Sequence, residues 1–207
     1  MGNRAVITTK KNFENNGVGV YLHWNGGYDS VSAFLKYCEL KGYRSPDGDC
    51  YGWARLCQVI GNYFGGTLSL GIDVVDQLDC DNYDNGTYII EGWNIVGREH
   101  YEGAEQNSYD LMEMLVEIDN AQPEKERLGD FITAAEVPTS DLKIGDVVYM
   151  SEYEGSYGKY KVVGFGDGRA NGSDVTGIPY VERYGDAVRG YAWNINNYIN
   201  TKTVKVV

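Results

Sequence analysis

Arg4-Ala5-Val6-Ile7-Thr8-Thr9 and Val18-Gly19-Val20-Tyr21-Leu22-His23-Trp24 decide the fold class of this 207-residue chain. Both runs are rich in β-branched and aromatic residues, which suit a pleated, half-buried surface. They predict two paired strands, with residues 10–17 as a polar turn region between them. Asn25-Gly26-Gly27 breaks the second strand. Asp29 or Ser30 then offers a short side-chain oxygen to the free N–H groups of a helix start. Val31, Phe34, Leu35 and Cys38 form an apolar stripe at helical spacing, and Gly42 closes that helix.

The same reading extends outward. Residues 50–64 predict a second helix with Trp53, Leu56, Cys57, Ile60 and Phe64 inward, ended by Gly65-Gly66. Residues 67–72 alternate like a strand. Thr87-Tyr88-Ile89-Ile90 and Trp93-Asn94-Ile95-Val96 predict two more, with a bulge or bend at Glu91-Gly92. Residues 109–118 predict a third helix with Leu111, Met112, Leu115 and Ile118 apolar. The polar stretch around Pro123 reads as a linker over residues 123–137. Beyond it, Ile144-Gly145-Asp146 opens a Val-rich strand that a second one, residues 159–165, answers. Residues 203–207 supply a closing strand. The expectation is an α+β chain. Residues 1–122 would form an antiparallel sheet with two or three helices, and residues 138–207 a small SH3-like β-barrel. Eighteen tyrosines and 27 glycines against four prolines favour strands and tight turns over long helices.

Charge is the most informative feature. The net charge is −12. Between Ile72 and Glu124 stand fourteen acids: Asp73, Asp76, Asp79, Asp81, Asp84, Glu91, Glu99, Glu102, Glu105, Asp110, Glu113, Glu117, Asp119 and Glu124. The one base there is Arg98, so this segment carries the whole net charge and one unit more. Solubility requires net charge, but it does not require one segment cleared of Lys and Arg. The first twelve of these acids are therefore read as a partner-binding surface for a basic protein. Direct nucleic-acid binding is disfavoured, because phosphate contacts need clustered Lys and Arg. The basic and aromatic residues of the C-terminal part, Lys159, Lys161, Arg169, Arg183, Arg189, Lys202 and Lys205, are the local exception.

Other chemistry is sparse. The Asp-rich stretch 79–86 fails the calcium-loop spacing in the registers that start on Asp79 and on Asp81, and reads as a hairpin turn. Gly164-Phe165-Gly166-Asp167-Gly168 lacks the strand–loop–helix setting of a phosphate cradle and reads as a flexible turn. His23 reads as a hydrogen-bonded core histidine beside a buried Trp24, and His100 as a surface residue among Glu99 and Glu102. Cys38 and Cys57 lie on apolar stripes and read as small core residues. Cys50 and Cys80 fall in polar loops, where zinc could draw on them with His23 or His100. No CxxC or HxxxH spacing supports a metal, so no cofactor is expected and the four cysteines are expected as thiols. The alternative reading is a phage-encoded enzyme or metal-dependent hydrolase with a site near His23, Cys57 and the central acids. A structural or accessory interaction module is the third. The start, Met1-Gly2-Asn3-Arg4-Ala5-Val6, has no apolar run of signal-peptide length, and no stretch has the length of a membrane span. A cytoplasmic location and no membrane partner are expected.

Three strings carry a resemblance: Gly2-Asn3-Arg4-Ala5-Val6-Ile7, Val20-Tyr21-Leu22-His23-Trp24-Asn25-Gly26-Gly27, and Ala33-Phe34-Leu35-Lys36-Tyr37-Cys38. Together they resemble a family of small proteins from phages, prophages and mobile elements of Gram-positive bacteria, over roughly residues 2 to 100. That setting, joined to the acidity, is similar to anti-CRISPR and other anti-defence inhibitors. The resemblance implies an inhibitor acting in a bacterial host cell. Its partner would be a basic host protein, most concretely a type II CRISPR effector nuclease. It assigns no functional residue.

Overall fold

A computed structural model describes residues 2–66, 69–102, 105–153, 156–170, 173–183, 193–194 and 203–206. The chain divides into two compact units, residues 1–127 and 128–207.

The first unit is built on a five-stranded sheet in the order β3-β2-β1-β4-β5. Its strands are β1 (Ala5–Thr9), β2 (Val18–Leu22), β3 (Leu70–Val74), β4 (Thr87–Glu91) and β5 (Asn94–Glu99). The expected β1–β2 pair is antiparallel, with Ile7 opposite Val20. The sheet as a whole is not antiparallel, because β4 lies parallel to β1 with Ile7 opposite Tyr88. Parallel neighbours need a long crossover, and everything from α1 to the 75–86 loop supplies it. Every residue of β1 is buried, the mark of a central strand covered on both faces.

Residues 10–17 are not a simple turn. They hold a short helix, α1 (Lys10–Glu14), whose start is capped by Thr9 Oγ1 accepting from the Asn12 N–H. Helices α2 (Tyr28–Leu40) and α3 (Cys50–Tyr63) follow. Phe34, Leu35 and Cys38 of α2 are buried as the stripe predicted, as are Trp53, Leu56 and Ile60 of α3. Burying each such side chain contributes roughly 1.5–3 kcal/mol over leaving it in water. The cap of α2 differs from expectation. The helix starts at Tyr28 with Gly27 in the cap position, two residues before Asp29, and Asp29 serves another segment. Trp24 lies beyond the end of β2 and is 46% exposed, so it is not a buried strand residue.

Helix α4 (Leu111–Ala121) is capped by Asp110, whose Oδ1 accepts from the Met112 and Glu113 N–H groups at 2.9 and 3.2 Å. It packs on α2 and α3 through Met114, Leu115 and Ile118. Tyr28 of α2 stacks near Tyr88, at 6.4 Å between ring centres, on the sheet face where Ile7, Val20 and Leu22 also point. Leu78 lies against Gly19 on the opposite face. Helices α2, α3 and α4 therefore cover one side of the sheet and the 75–86 loop the other.

The second unit is a six-stranded sheet in the order β10-β9-β8-β7-β11-β6. Its strands are β6 (Ala135–Pro138), β7 (Val147–Tyr153), β8 (Ser156–Ala170), β9 (Ser173–Arg183), β10 (Trp193–Asn194) and β11 (Thr203–Val206). Leu142, Val148, Met150, Val162 and Val181 form its core, with Val137 and Tyr160 packed against it. Strand β6 falls inside the expected linker, because it pairs with β11 some 65 residues later, beyond local pattern. The Gly164–Gly168 run is not a turn but the middle of β8, with Gly164 opposite Tyr180 and Gly168 opposite Val175. Among the described residues the edge strands β6 and β10 do not pair with each other. No helix there is long and apolar enough to cross a membrane.

Candidate functional site

The acidic segment is spread over β3, the 75–86 loop, the ends of β4 and β5, the loop before α4, and α4 itself. Asp73, Asp76, Asp79, Asp81, Glu91, Glu99, Glu102, Glu105, Asp110, Glu113, Glu117 and Glu124 are all exposed. Asp84 is half-buried and Asp119 is buried.

Several of these acids already have internal partners. Arg4, from outside the segment, donates through Nε to Asp84 Oδ2 at 2.7 Å and reaches Asp79 Oδ2 at 3.4 Å. The hydrogen bond to Asp84 raises the Arg4 pKa, and its charge and that of Asp79 add to the effect. Asp119 accepts from the Tyr37 hydroxyl at 2.7 Å, between α4 and α2. Burial, then that bond, drives the Tyr37 hydroxyl far above its ordinary range. Asp119 therefore belongs to the helix packing and not to a surface.

Arg98 is likewise taken up. Its Nη1 donates to both Glu105 oxygens, at 2.8 and 2.7 Å, and its Nε to the Asn85 carbonyl at 2.8 Å. Its guanidinium lies 3.6 Å from the centre of the Tyr101 ring and 4.3 Å from that of Tyr88. Ring stacking, with Nε and Nη2 turned to Asn85 and Nη1 to Glu105, is an arrangement that favours Arg over Lys. The loop is tied a second time by Asp29, whose Oδ2 accepts from the Ser108 and Tyr109 N–H groups at 2.5 and 2.8 Å.

Two groups of acids lie on opposite sides of the sheet. On one side, Asp76, Asp79 and Asp81 line an open depression of about 510 Å³ with Glu14, His100, Phe13 and Leu78. Glu14 belongs to this group although it precedes the acidic segment by almost 60 residues, and nothing in its sequence surroundings signals it. On the other side, Glu113 and Glu117 stand on exposed positions of α4. Tyr63 donates to Glu117 Oε2 at 3.5 Å. Burial chiefly, with Tyr109 and Glu117 nearby, pushes that hydroxyl up to about 12. Glu91 joins neither region. It lines a depression with Lys10, Lys11 and Asp47, where the charge is mixed.

Ten exposed acids make no ion pair among the described residues: Asp73, Asp76, Asp81, Glu91, Glu99, Glu102, Asp110, Glu113, Glu117 and Glu124. Asp110 acts as a helix cap, which leaves its charge outward but gives it a structural task.

The residues of the alternative site lie on different elements. His23 is half-buried with Nδ1 3.1 Å from the Tyr21 hydroxyl, and its ring meets Trp24 edge-on at 5.0 Å. Cys57 is on α3, where burial pushes its thiol up to about 11. No hydrogen bond joins His23 to Cys57 among the described residues. Cys50 is exposed at the start of α3, and the Cys80 thiol points to the Val75 carbonyl at 3.4 Å. Among the described residues no three His, Cys, Asp or Glu side chains gather in a metal-holding group. No family model, curated protein or solved structure matches this chain.

Proposed function

We propose that this chain is an acidic inhibitor that binds a Lys- and Arg-rich surface of a nucleic-acid-binding protein. The partner in this reading is a host defence nuclease, most concretely a type II CRISPR effector, and binding blocks its engagement of nucleic acid. The setting is the cytoplasm of a bacterial host, with the chain supplied by a phage or mobile element.

One observation carries the reading: among the described residues ten exposed acids make no ion pair, while Arg4 and Arg98 are consumed internally. Such an array costs stability through self-repulsion. A basic partner relieves that cost and gains electrostatic steering. Nucleic-acid-binding proteins offer such surfaces, because they must neutralise closely spaced phosphates. The second unit is read as a small SH3-like barrel. The consecutive antiparallel strands β7, β8 and β9, and the turn in which Gly145 donates to the Val162 carbonyl at 2.8 Å, support this.

The test is inhibition of DNA cleavage by a purified type II effector loaded with guide RNA. The chain added before target DNA suppresses cleavage, and charge reversal at Asp76, Asp79 and Asp81, or at Glu113 and Glu117, relieves the suppression. Full cleavage at saturating protein removes this partner from the reading.

A further inference from the structure

The open edge of the first sheet offers a second mode of contact. In the β2–β3 pair, Val75 donates to the Gly17 carbonyl and His23 to the Ser69 carbonyl, both at 2.9 Å. Antiparallel pairs alternate between bonded and non-bonded positions. Gly19–Asp73 and Tyr21–Gly71 are therefore bonded pairs, and Leu70, Ile72 and Val74 turn their N–H and C=O groups outward. The Val74 N–H is covered by Asp73 Oδ1 at 2.8 Å. Among the described residues Ile72 has no such cover, and its side chain is 58% exposed beside Val18 and Val74, both at 36%. An unpaired edge with exposed β-branched residues is a template for another strand. The other edge, β5, is less suited, because its register against β4 breaks between Ile89 and Ile90.

We infer that β3 is where an extended, basic segment of the partner adds as a sixth strand, with main-chain bonds to Ile72 and Leu70. This inference rests on the acidic-binder reading and specifies how that partner docks. Charge complementarity selects the occupant. Asp73 lies on the edge strand itself and Asp76 immediately beyond it, both exposed. A second copy of this chain would bring the same acids, and a net charge of −12, against themselves. A segment alternating Lys or Arg with Val or Ile places its bases on the Asp73 side and its apolar residues on the Ile72 side. Main-chain bonds supply affinity and the alternate side chains supply selectivity.

The experiment uses the full chain, isotopically labelled, with a synthetic (Lys-Val)4 peptide as probe and (Glu-Val)4 as control. The Lys-Val peptide is expected to shift the Leu70 and Ile72 amide signals and to slow their exchange about tenfold, while the control does neither. Ile72→Pro removes an outward N–H without touching the β2 ladder, and should weaken the peptide about tenfold with melting little changed. Ile72→Lys keeps that N–H and should weaken it through like charge, so the pair guards against a variant that folds poorly. Shifts confined to residues 76–81 or to α4, with Ile72→Pro binding as wild type, overturn the edge inference and leave the acidic reading standing. No binding of the peptide at low salt overturns the edge inference alone, since the nuclease assay judges the other. Sedimentation showing a dimer that Ile72→Lys abolishes makes the occupant a second copy, and equally overturns it.

Discussion

Arg98 holds Glu105 through two hydrogen bonds of 2.8 and 2.7 Å while its guanidinium rests 3.6 Å from the centre of the Tyr101 ring. The one base of the acidic segment is thus spent on fastening the loop that leads to α4. Its side chain is only 13% exposed, so the pair is better shielded than an ordinary surface ion pair. Arg98→Ala should cost about 2–4 kcal/mol in urea unfolding, combining charged hydrogen bonds with lost stacking. Arg98→Lys should recover less than half, because a single ammonium cannot bind Glu105, donate to Asn85 and lie flat on the Tyr101 and Tyr88 rings together. A cost below about 0.5 kcal/mol for the alanine variant would show that the loop is held by Asp29 alone.

Two residues of one string should respond oppositely. Trp24 is exposed and makes an edge contact with His23, so Trp24→Ala should cost about 1 kcal/mol or less. A Cβ on Gly26 would stand 2.7 Å from the Ala5 nitrogen and the Asn3 carbonyl oxygen, and backbone there cannot move aside. Gly26→Ala should therefore cost about 3 kcal/mol. Thermal unfolding of both variants checks the ordering, and equal effects would contradict the described close approach.

The cysteines should separate by burial. Four free thiols are expected after unfolding without reductant. In the folded protein Cys50 should react first and Cys38, fully buried, last. Burial penalises the thiolate and pushes Cys57 up to about 11. Only the thiolate attacks, so Cys57 labelling should rise about tenfold per pH unit until near that value. A Cys57 rate flat between pH 7 and 9 would show that opening of the chain, not ionisation, limits the reaction.

The sequence made the local elements legible and the long-range pairings not. The stripes Val31–Cys38 and Trp53–Phe64 located α2 and α3, because a period of 3.6 residues is written along the chain itself. The parallel pairing of β1 with β4 joins residues some 80 positions apart and leaves no local trace. The strand character of Gly164–Gly168 was hidden for a related reason. Glycine reads as a turn in isolation, yet Gly166 lets Tyr180 of β9 pack close against β8. Trp24 was misplaced because the strand stops at Leu22 and the chain turns outward before Gly26.

For the site, the identity of the acids was legible and their arrangement was not. Composition cannot show that Arg4 crosses into the segment to pair with Asp84, that Asp119 is buried against Tyr37, or that Glu14 joins Asp76, Asp79 and Asp81. It also cannot show that the 75–86 loop and α4 lie on opposite sides of one sheet. That division has a consequence: a single flat partner should engage one region or the other. Triple reversal of Asp76, Asp79 and Asp81 and double reversal of Glu113 and Glu117 should therefore differ in effect by about tenfold or more on binding. Glu113 stands in the first turn of α4, where the helix dipole favours an acid, so its reversal should cost about 0.3–1 kcal/mol of stability. Melting curves of both sets separate that cost from loss of binding, and equal effects of the two sets would mean that both regions touch the partner.

The most direct test of the central claim is the affinity of the purified chain for a type II CRISPR effector nuclease, titrated from low to high salt. Screening shortens from roughly 30 Å at 0.01 M to 3 Å at 1 M, so contacts between exposed charges should fade over that range. The Kd should rise about tenfold or more with salt, and a reversal variant should bind weakly even at low salt with its melting temperature retained. Binding that is indifferent both to salt and to reversal on either side of the sheet, or no binding at low salt, would contradict that claim.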